Sequence, residues 1–409
     1  MDIPLTKKIN IDNIIFCLFA ALVFMFPISI SAIEILFFCI LAFAALKAVQ
    51  CKIRIADIKA FFFGDKINLA VLIFYICLGI SMITSGDLFL KSLRAWTTKW
   101  AEGIILFYLA RIFLDRDRIK RLLYVLAGSV FLLCIDGLWQ KFAGVDFLRG
   151  FKMTETSEFL AVRGTFAHYN DFGTFLVVAF FAALGLANYR LDKVPMRIYF
   201  TALNIILLVN LIFTYSRGAW SAFFAALILL LFFVRNKRII VLSLSVICCG
   251  VLIAFFIPLS HEKIMVLLTK KDSGRLAMWK DVLDMARQHP LVGCGVGLFM
   301  EIFGKLKEWG YQYVHNCYLQ MLVETGILGL VSFLLFVGLI IKRVWLSVAQ
   351  DHDRVVMGLG AAFAAFLVHA FFDTQFYSVQ LSTLFWLLSA FLVQMSVARP
   401  RPVKGKNTQ

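Results

Sequence analysis

The residues able to do chemistry stand at the ends of long apolar runs. Tyr313-Val-His-Asn-Cys-Tyr-Leu-Gln320 places His315 and Asn316 where one run begins, with Gln320 and Glu324 further along it. An imidazole changes charge near neutral pH and can take or give a proton. The plainer alternative is a histidine that hydrogen-bonds a helix end. A carboxylate within an apolar span costs about 2.5–3.5 kcal/mol, so Glu324 is expected to face a cavity or a partner. Thr214-Tyr-Ser-Arg-Gly-Ala219 holds Arg217 in a short turn between two more runs. Its guanidinium keeps its charge and offers a planar donor fork to phosphate or carboxylate. The alternative for it is a snorkelling anchor. Arg163-Gly-Thr-Phe-Ala-His-Tyr-Asn-Asp171 brings Arg163, His168 and Asn170 to the start of a further run. His168 is read like His315, with the same bland alternative.

One long hydrophilic stretch has a pattern of its own. From Ser273 to Arg287, apolar residues recur at positions 276, 279, 282, 283 and 286, which is helical spacing. Ser273 can cap that helix, Arg275 lies in its first turn, and His289-Pro290 ends it. Gly293, Gly295 and Gly297 follow at alternate positions. They suit a tight turn close to another backbone or a ligand. No strand precedes them in a βαβ unit, so a dinucleotide fold is rejected. Metal chemistry looks poor. Asp115-Arg-Asp117 and Asp351-His-Asp353 read as solvated loop charges, and no Cys-x-x-Cys pair occurs among the nine cysteines. His369 and Asp373, four apart, read as a structural pair on one helix face.

The elements that position these residues follow from composition. Of 409 residues, 61% are hydrophobic and 16% charged, against about 25% charged in soluble domains. That excludes a soluble enzyme, a disordered chain and a disulfide-built module. The apolar segments are continuous rather than alternating, which excludes a transmembrane barrel. The fold class is all-α: a single polytopic membrane domain over 1–409. Twelve spans are expected at 13–31, 33–49, 67–84, 100–114, 122–140, 171–189, 198–214, 218–234, 239–257, 316–341, 355–373 and 380–398. The split between the first two rests on Pro27, Ser29, Ser31 and Glu34. No cleavable leader pattern is expected.

A net charge of +16 reads as membrane-flanking Lys and Arg rather than nucleic-acid binding, so no nucleic acid is expected as a partner. With the N-terminus in the cytoplasm, every short inside loop is basic, and the 399–409 tail is inside as well. Three outside stretches break the rule: 85–99 with Lys91, Arg94 and Lys99; 141–170; and a large periplasmic loop over 258–315. An anionic substrate is the simplest user of those cations. The alternative is that long translocated loops ignore the charge rule.

These motifs resemble the O-antigen ligase and polymerase superfamily of bacterial envelope glycosyltransferases. The stretches that carry the resemblance are 163–173, 214–220, Ser273-Gly-Arg275 with Trp279, 289–299, and His315-Asn-x-x-Leu-Gln-x-x-x-Glu324-x-Gly326, within roughly 160–330. The resemblance implies a GT-C-like architecture in the bacterial inner membrane. It implies a glycan donor on polyprenyl (undecaprenyl) pyrophosphate and inverting transfer that uses no metal or other cofactor. By the family pattern His315, Arg217 and Arg275 are the catalytic set, the arginines near the pyrophosphate and His315 either as the base for the acceptor or, when cationic, as a phosphate-binding group. Arg163, Asn170, His168, Asn316, Gln320, Glu324, Arg94 and Lys99 are the expected substrate-binding residues. Lipid A-core is the first acceptor, as in lipopolysaccharide biosynthesis. A glycan repeat, as for a polymerase, or a protein, as for an oligosaccharyltransferase, is the alternative. A lipid-linked glycan flippase is the non-enzymatic alternative, with polar residues spread through the membrane depth.

Overall fold

The computed structural model describes residues 10–155, 159–189, 194–233, 275–303 and 313–397. The expected span at 239–257, the Ser273 cap, the tail, and the rest of the large loop outside 275–303 and 313–315 lie beyond them. The helices are α1 Ile11–Met25, α2 Ile30–Gln50, α3 Ile55–Gly64, α4 Lys66–Ile80, α5 Phe89–Arg94, α6 Ala101–Phe113, α7 Arg116–Ala143, α8 Tyr169–Tyr189, α9 Val194–Phe213, α10 Arg217–Phe233, α11 Arg275–Ala286, α12 Phe299–Phe303, α13 Cys317–Asp351, α14 Arg354–His369 and α15 Val379–Met395. Among the described residues, six helices are long and apolar enough to cross a membrane. Shorter apolar helices are α1, α14, α15 and Arg217–Phe232 of α10. Among the described residues, the one two-stranded sheet pairs Thr154–Glu155 antiparallel with Leu160–Ala161.

The breaks fall where short polar side chains can satisfy the orphan amides of a helix start. Asn10, Ser29, Asp65, Asp115, Asn316 and Asp353 each accept from an amide in the first turn of the helix that follows. The turn between α1 and α2 lies over Phe26–Ser29, where Pro27 and Ser29 marked it. α5 and α6 run on through a π-helical turn at Ala95–Trp100. This wide turn exposes Thr97, Thr98 and Lys99 together.

The bundle packs most closely where side chains are smallest. Gly185 of α8 faces Gly358 of α14, and a Cβ on Gly358 would lie 2.6 Å from the Gly185 Cα. Small residues permit that approach between apolar helices. α15 runs through the centre, with Leu381, Phe385, Trp386 and Leu392 fully buried. Gly103 of α6 makes room for the Trp386 indole. At one end of α13, Arg343 and Arg111 donate to Asp65 at 2.9 and 2.7 Å. Burial pushes the Asp65 carboxyl up, but the Arg343 and Ile67 hydrogen bonds and the charges of Arg343 and Arg111 outweigh it and hold it low. His315 stands just before the other end of α13.

α13 is interrupted. Gly326 has φ 65° inside it, a conformation that favours glycine. The residues 290–297 lie against that break. The Cys294 and Gly295 amides donate to the Val323 and Glu324 carbonyls, and the Ile327 and Leu328 amides donate to the Pro290 and Leu291 carbonyls. A glycine in an apolar run would ordinarily be a plain helix–helix contact. Instead, it opens the helix so that a loop can supply the missing hydrogen bonds.

Candidate active site

The site is built around the loop from Ala370 to Ser378, between α14 and α15. His315 Nδ1 lies 3.1 Å from Asp373 Oδ1, and the same oxygen accepts from the Thr374 amide at 2.8 Å. An ionised carboxylate can only accept. Facing an ionised Asp373, His315 would donate from Nδ1, which leaves Nε2 as the other ring nitrogen. Both side chains are mostly covered, at 24% and 13% exposure. His315 has φ 51°. Such a backbone is uncommon outside glycine and persists where its surroundings enforce it.

The surroundings are visible. The Cys317 amide donates to the Ala370 carbonyl. Cys317 Sγ donates to the Asp373 carbonyl and accepts from the Gln375 amide, each at 3.1 Å. From above, the Trp279 indole of α11 donates to the Val314 carbonyl at 2.9 Å and packs edge-on against Phe371. The start of α13 and the loop are thus stitched together on both sides of the His315–Asp373 pair.

The arginines reach the same loop. Arg275, at the start of α11, points Nη1 at the Phe372 carbonyl, 3.4 Å away, next to Asp373. Arg217 is exposed at the first position of α10. Its neighbour Gly218 meets His369 and Phe372 so closely that a Cβ there would lie 2.6 Å from the His369 Nε2. His369 is buried, with Nδ1 2.5 Å from Thr174 Oγ1. Thr174 also accepts from Gln375. Asn170 accepts from Ser216 Oγ at 2.7 Å, which ties the start of α8 to the turn before Arg217. His168 accepts from the Asn170 amide on Nδ1. Burial, opposed by Asp373 and assisted by His315 and Arg163, lowers its pKa.

His315, Arg275 and the α10 start that carries Arg217 therefore converge on 369–373, with His168 close enough to feel the Asp373 charge, while Asn170 ties α8 to the turn before Arg217. The other expected residues sit elsewhere. The Arg163 guanidinium donates to the Lys152 and Ala167 carbonyls and stacks on Phe151, so it folds its own loop. Asn316 caps α13. Gln320 donates to Glu324. Glu324 is fully buried and accepts from the Gly297 and Phe299 amides and from the Tyr377 hydroxyl. It thereby holds the glycine loop. Arg94 is exposed on α5, and Lys99 lies over the Tyr377 ring, 5.5 Å from its centroid.

Asp373 and His369 were read as a structural pair on a span that ends at Asp373. The helix stops at His369, and the two side chains take different partners. Their spacing and the polar residues after Phe372 were the available signal. Among the described residues, no three His, Cys, Asp or Glu side chains gather as a metal site.

Glu324→Ala strands those buried donors, at about 1–3 kcal/mol each. We expect a loss of about 3 kcal/mol or more in thermal unfolding of the detergent-solubilised protein. Glu324→Gln, which keeps an acceptor oxygen, should lose less than half as much.

A family model described as O-antigen ligase matches residues 202–334. The stretch contains Arg217, Arg275 and His315 and stops before Asp373. A comparison with curated proteins finds no match.

Proposed function

We propose that this chain, whose residues 202–334 match an O-antigen ligase family model, is an inverting, metal-independent glycosyltransferase. It would move a glycan from polyprenyl pyrophosphate to lipid A-core at the periplasmic face of the inner membrane. That match supports a place among the glycosyltransferases that act as O-antigen ligases or polymerases. The ligase reading, its donor and its acceptor are our inference. The observation that carries it is the His315–Asp373 contact at the loop that Arg275 and the start of α10 also reach.

The chemistry follows from the groups present. His315 Nε2 removes the proton of an acceptor hydroxyl as its oxygen attacks the anomeric carbon. The bond from that carbon to the pyrophosphate oxygen breaks, and the diphosphate leaves with the bonding pair. Attack from the face opposite the leaving group inverts the centre. Arg217 and Arg275 offset the leaving group's growing charge, through charge-assisted hydrogen bonds. Asp373 orients the imidazole and balances the imidazolium that forms. The positive-inside pattern supports placing both termini in the cytoplasm and the site outside.

The test is transfer by purified protein in detergent, with chelator present, from a polyprenyl-pyrophosphate glycan to lipid A-core. We expect the product with inverted anomeric configuration. Lengthening of the lipid-linked glycan instead would make the chain a polymerase. Movement of glycan in sealed vesicles without transfer would make it a transporter.

A further inference from the structure

The loop that carries Asp373 also connects two different surfaces. At its start, His369 and Phe372 meet Gly218 on the Arg217 side. At its end, Tyr377 meets Glu324, Lys99 and Tyr313. Asp373 and His315 lie between. A transferase of the kind proposed above needs room for two saccharides, one on each side of its base.

The Tyr377 end is built for contact. Its hydroxyl is fixed by Glu324, and its half-buried ring has Lys99 and Tyr313 as neighbours. The Tyr313 ring lies 6.2 Å from it at 51°, and Tyr313 is 37% exposed. Lys99 stands over the Tyr377 ring from the exposed π-helical turn. That turn is held in place because Gly297 packs on Ala95 so closely that a Cβ would lie 2.4 Å from the Ala95 Cβ. Gly297 in turn donates to Glu324. One buried carboxylate therefore fixes both the aromatic ring and, through the glycine loop, the turn carrying the cation. Tyr313 is two residues from His315, and Tyr377 is four from Asp373.

We propose that Tyr313, Tyr377 and Lys99 form the acceptor subsite, and that it takes a saccharide bearing an anionic substituent. The apolar face of a pyranose packs on aromatic rings, which combine large contact area with a polar tip. The ammonium is a compact charge suited to phosphate or carboxylate on that sugar. Arg217 and Arg275 then serve the donor diphosphate alone, so the two anions are read by separate cations. The assignment rests on the transfer reading above.

The test is steady-state transfer to native and phosphatase-treated lipid A-core. Lys99→Ala and Tyr313→Ala should each raise the acceptor KM by about threefold to tenfold, with the donor KM unchanged. Tyr313→Phe should restore it. Removal of phosphate should weaken the wild-type acceptor by a similar factor and leave Lys99→Ala indifferent. An unchanged acceptor KM in Lys99→Ala and Tyr313→Ala, or equal phosphate sensitivity with and without Lys99, overturns the subsite while wild-type transfer stands. Absence of wild-type transfer to any acceptor overturns the underlying reading instead.

Discussion

His315→Ala is expected to lower turnover by about 10²–10⁴-fold, the usual contribution of a positioned acid–base group, while the donor still binds. Asp373→Asn should cost about 10²-fold or more. The asparagine retains the shape but can present its amide N–H to Nδ1, which favours the wrong tautomer and leaves the imidazolium without a counter-charge. Because Asp373 acts only through His315, the double variant should be no slower than His315→Ala alone. Single-turnover rates of the purified variants decide this. Full activity in Asp373→Asn would remove the orienting role. Full activity in His315→Ala would remove the base itself. Unchanged thermal unfolding of Asp373→Asn separates orientation from collapse of the loop, since the Cys317 bonds to Ala370, Asp373 and Gln375 use backbone groups.

The all-α, apolar character was legible because hydropathy records the need to bury side chains away from water, and six of the described helices are long and apolar enough to cross a membrane; caps such as Ser29 and Asn316 record where helices start. The alternate glycines were legible as a tight turn near a backbone, and Gly293 does lie against Glu324, where a Cβ would be 2.3 Å from its carbonyl carbon. What was illegible is which partner each polar residue finds. Glu324 and Arg163 carry charges a site could use, but their hydrogen bonds go to this chain's own groups: Arg163 to carbonyls of its loop, Glu324 to two amides, Gln320 and the Tyr377 hydroxyl. Sequence spacing cannot reveal such pairing, since Gly297 lies 27 residues away from Glu324. Asp373 was hidden for another reason. No glycine or proline marks the end of α14, so hydropathy runs the span on through Phe371 and Phe372. The turn there is set by tertiary contacts: the Cys317 amide on Ala370 and the Trp279 ring on Phe371.

Arg217→Ala is expected to cut transfer by about 10²–10³-fold, the range for loss of one group that stabilises developing charge, without loss of fold stability. The reason is its place at the first position of α10. The helix macrodipole is positive there, so a cation is disfavoured by a few tenths of a kcal/mol. An arginine kept at such a point is explained by an anion that arrives, because helix start and guanidinium then attract the same diphosphate. A snorkelling anchor makes the opposite forecast: lower stability in detergent and lipid, with turnover intact. Thermal unfolding within about 0.5 kcal/mol of wild type, together with the loss of rate, would decide for the anion. Arg275→Ala should lose a similar factor in rate. It should also lower stability slightly, because its guanidinium touches the Phe372 carbonyl. Arg→Lys at either position retains charge but not the planar fork, so it should recover only part of the rate. If both lysine variants ran at wild-type speed, charge alone would be doing the catalysis and the two-pronged hold on the diphosphate would be wrong.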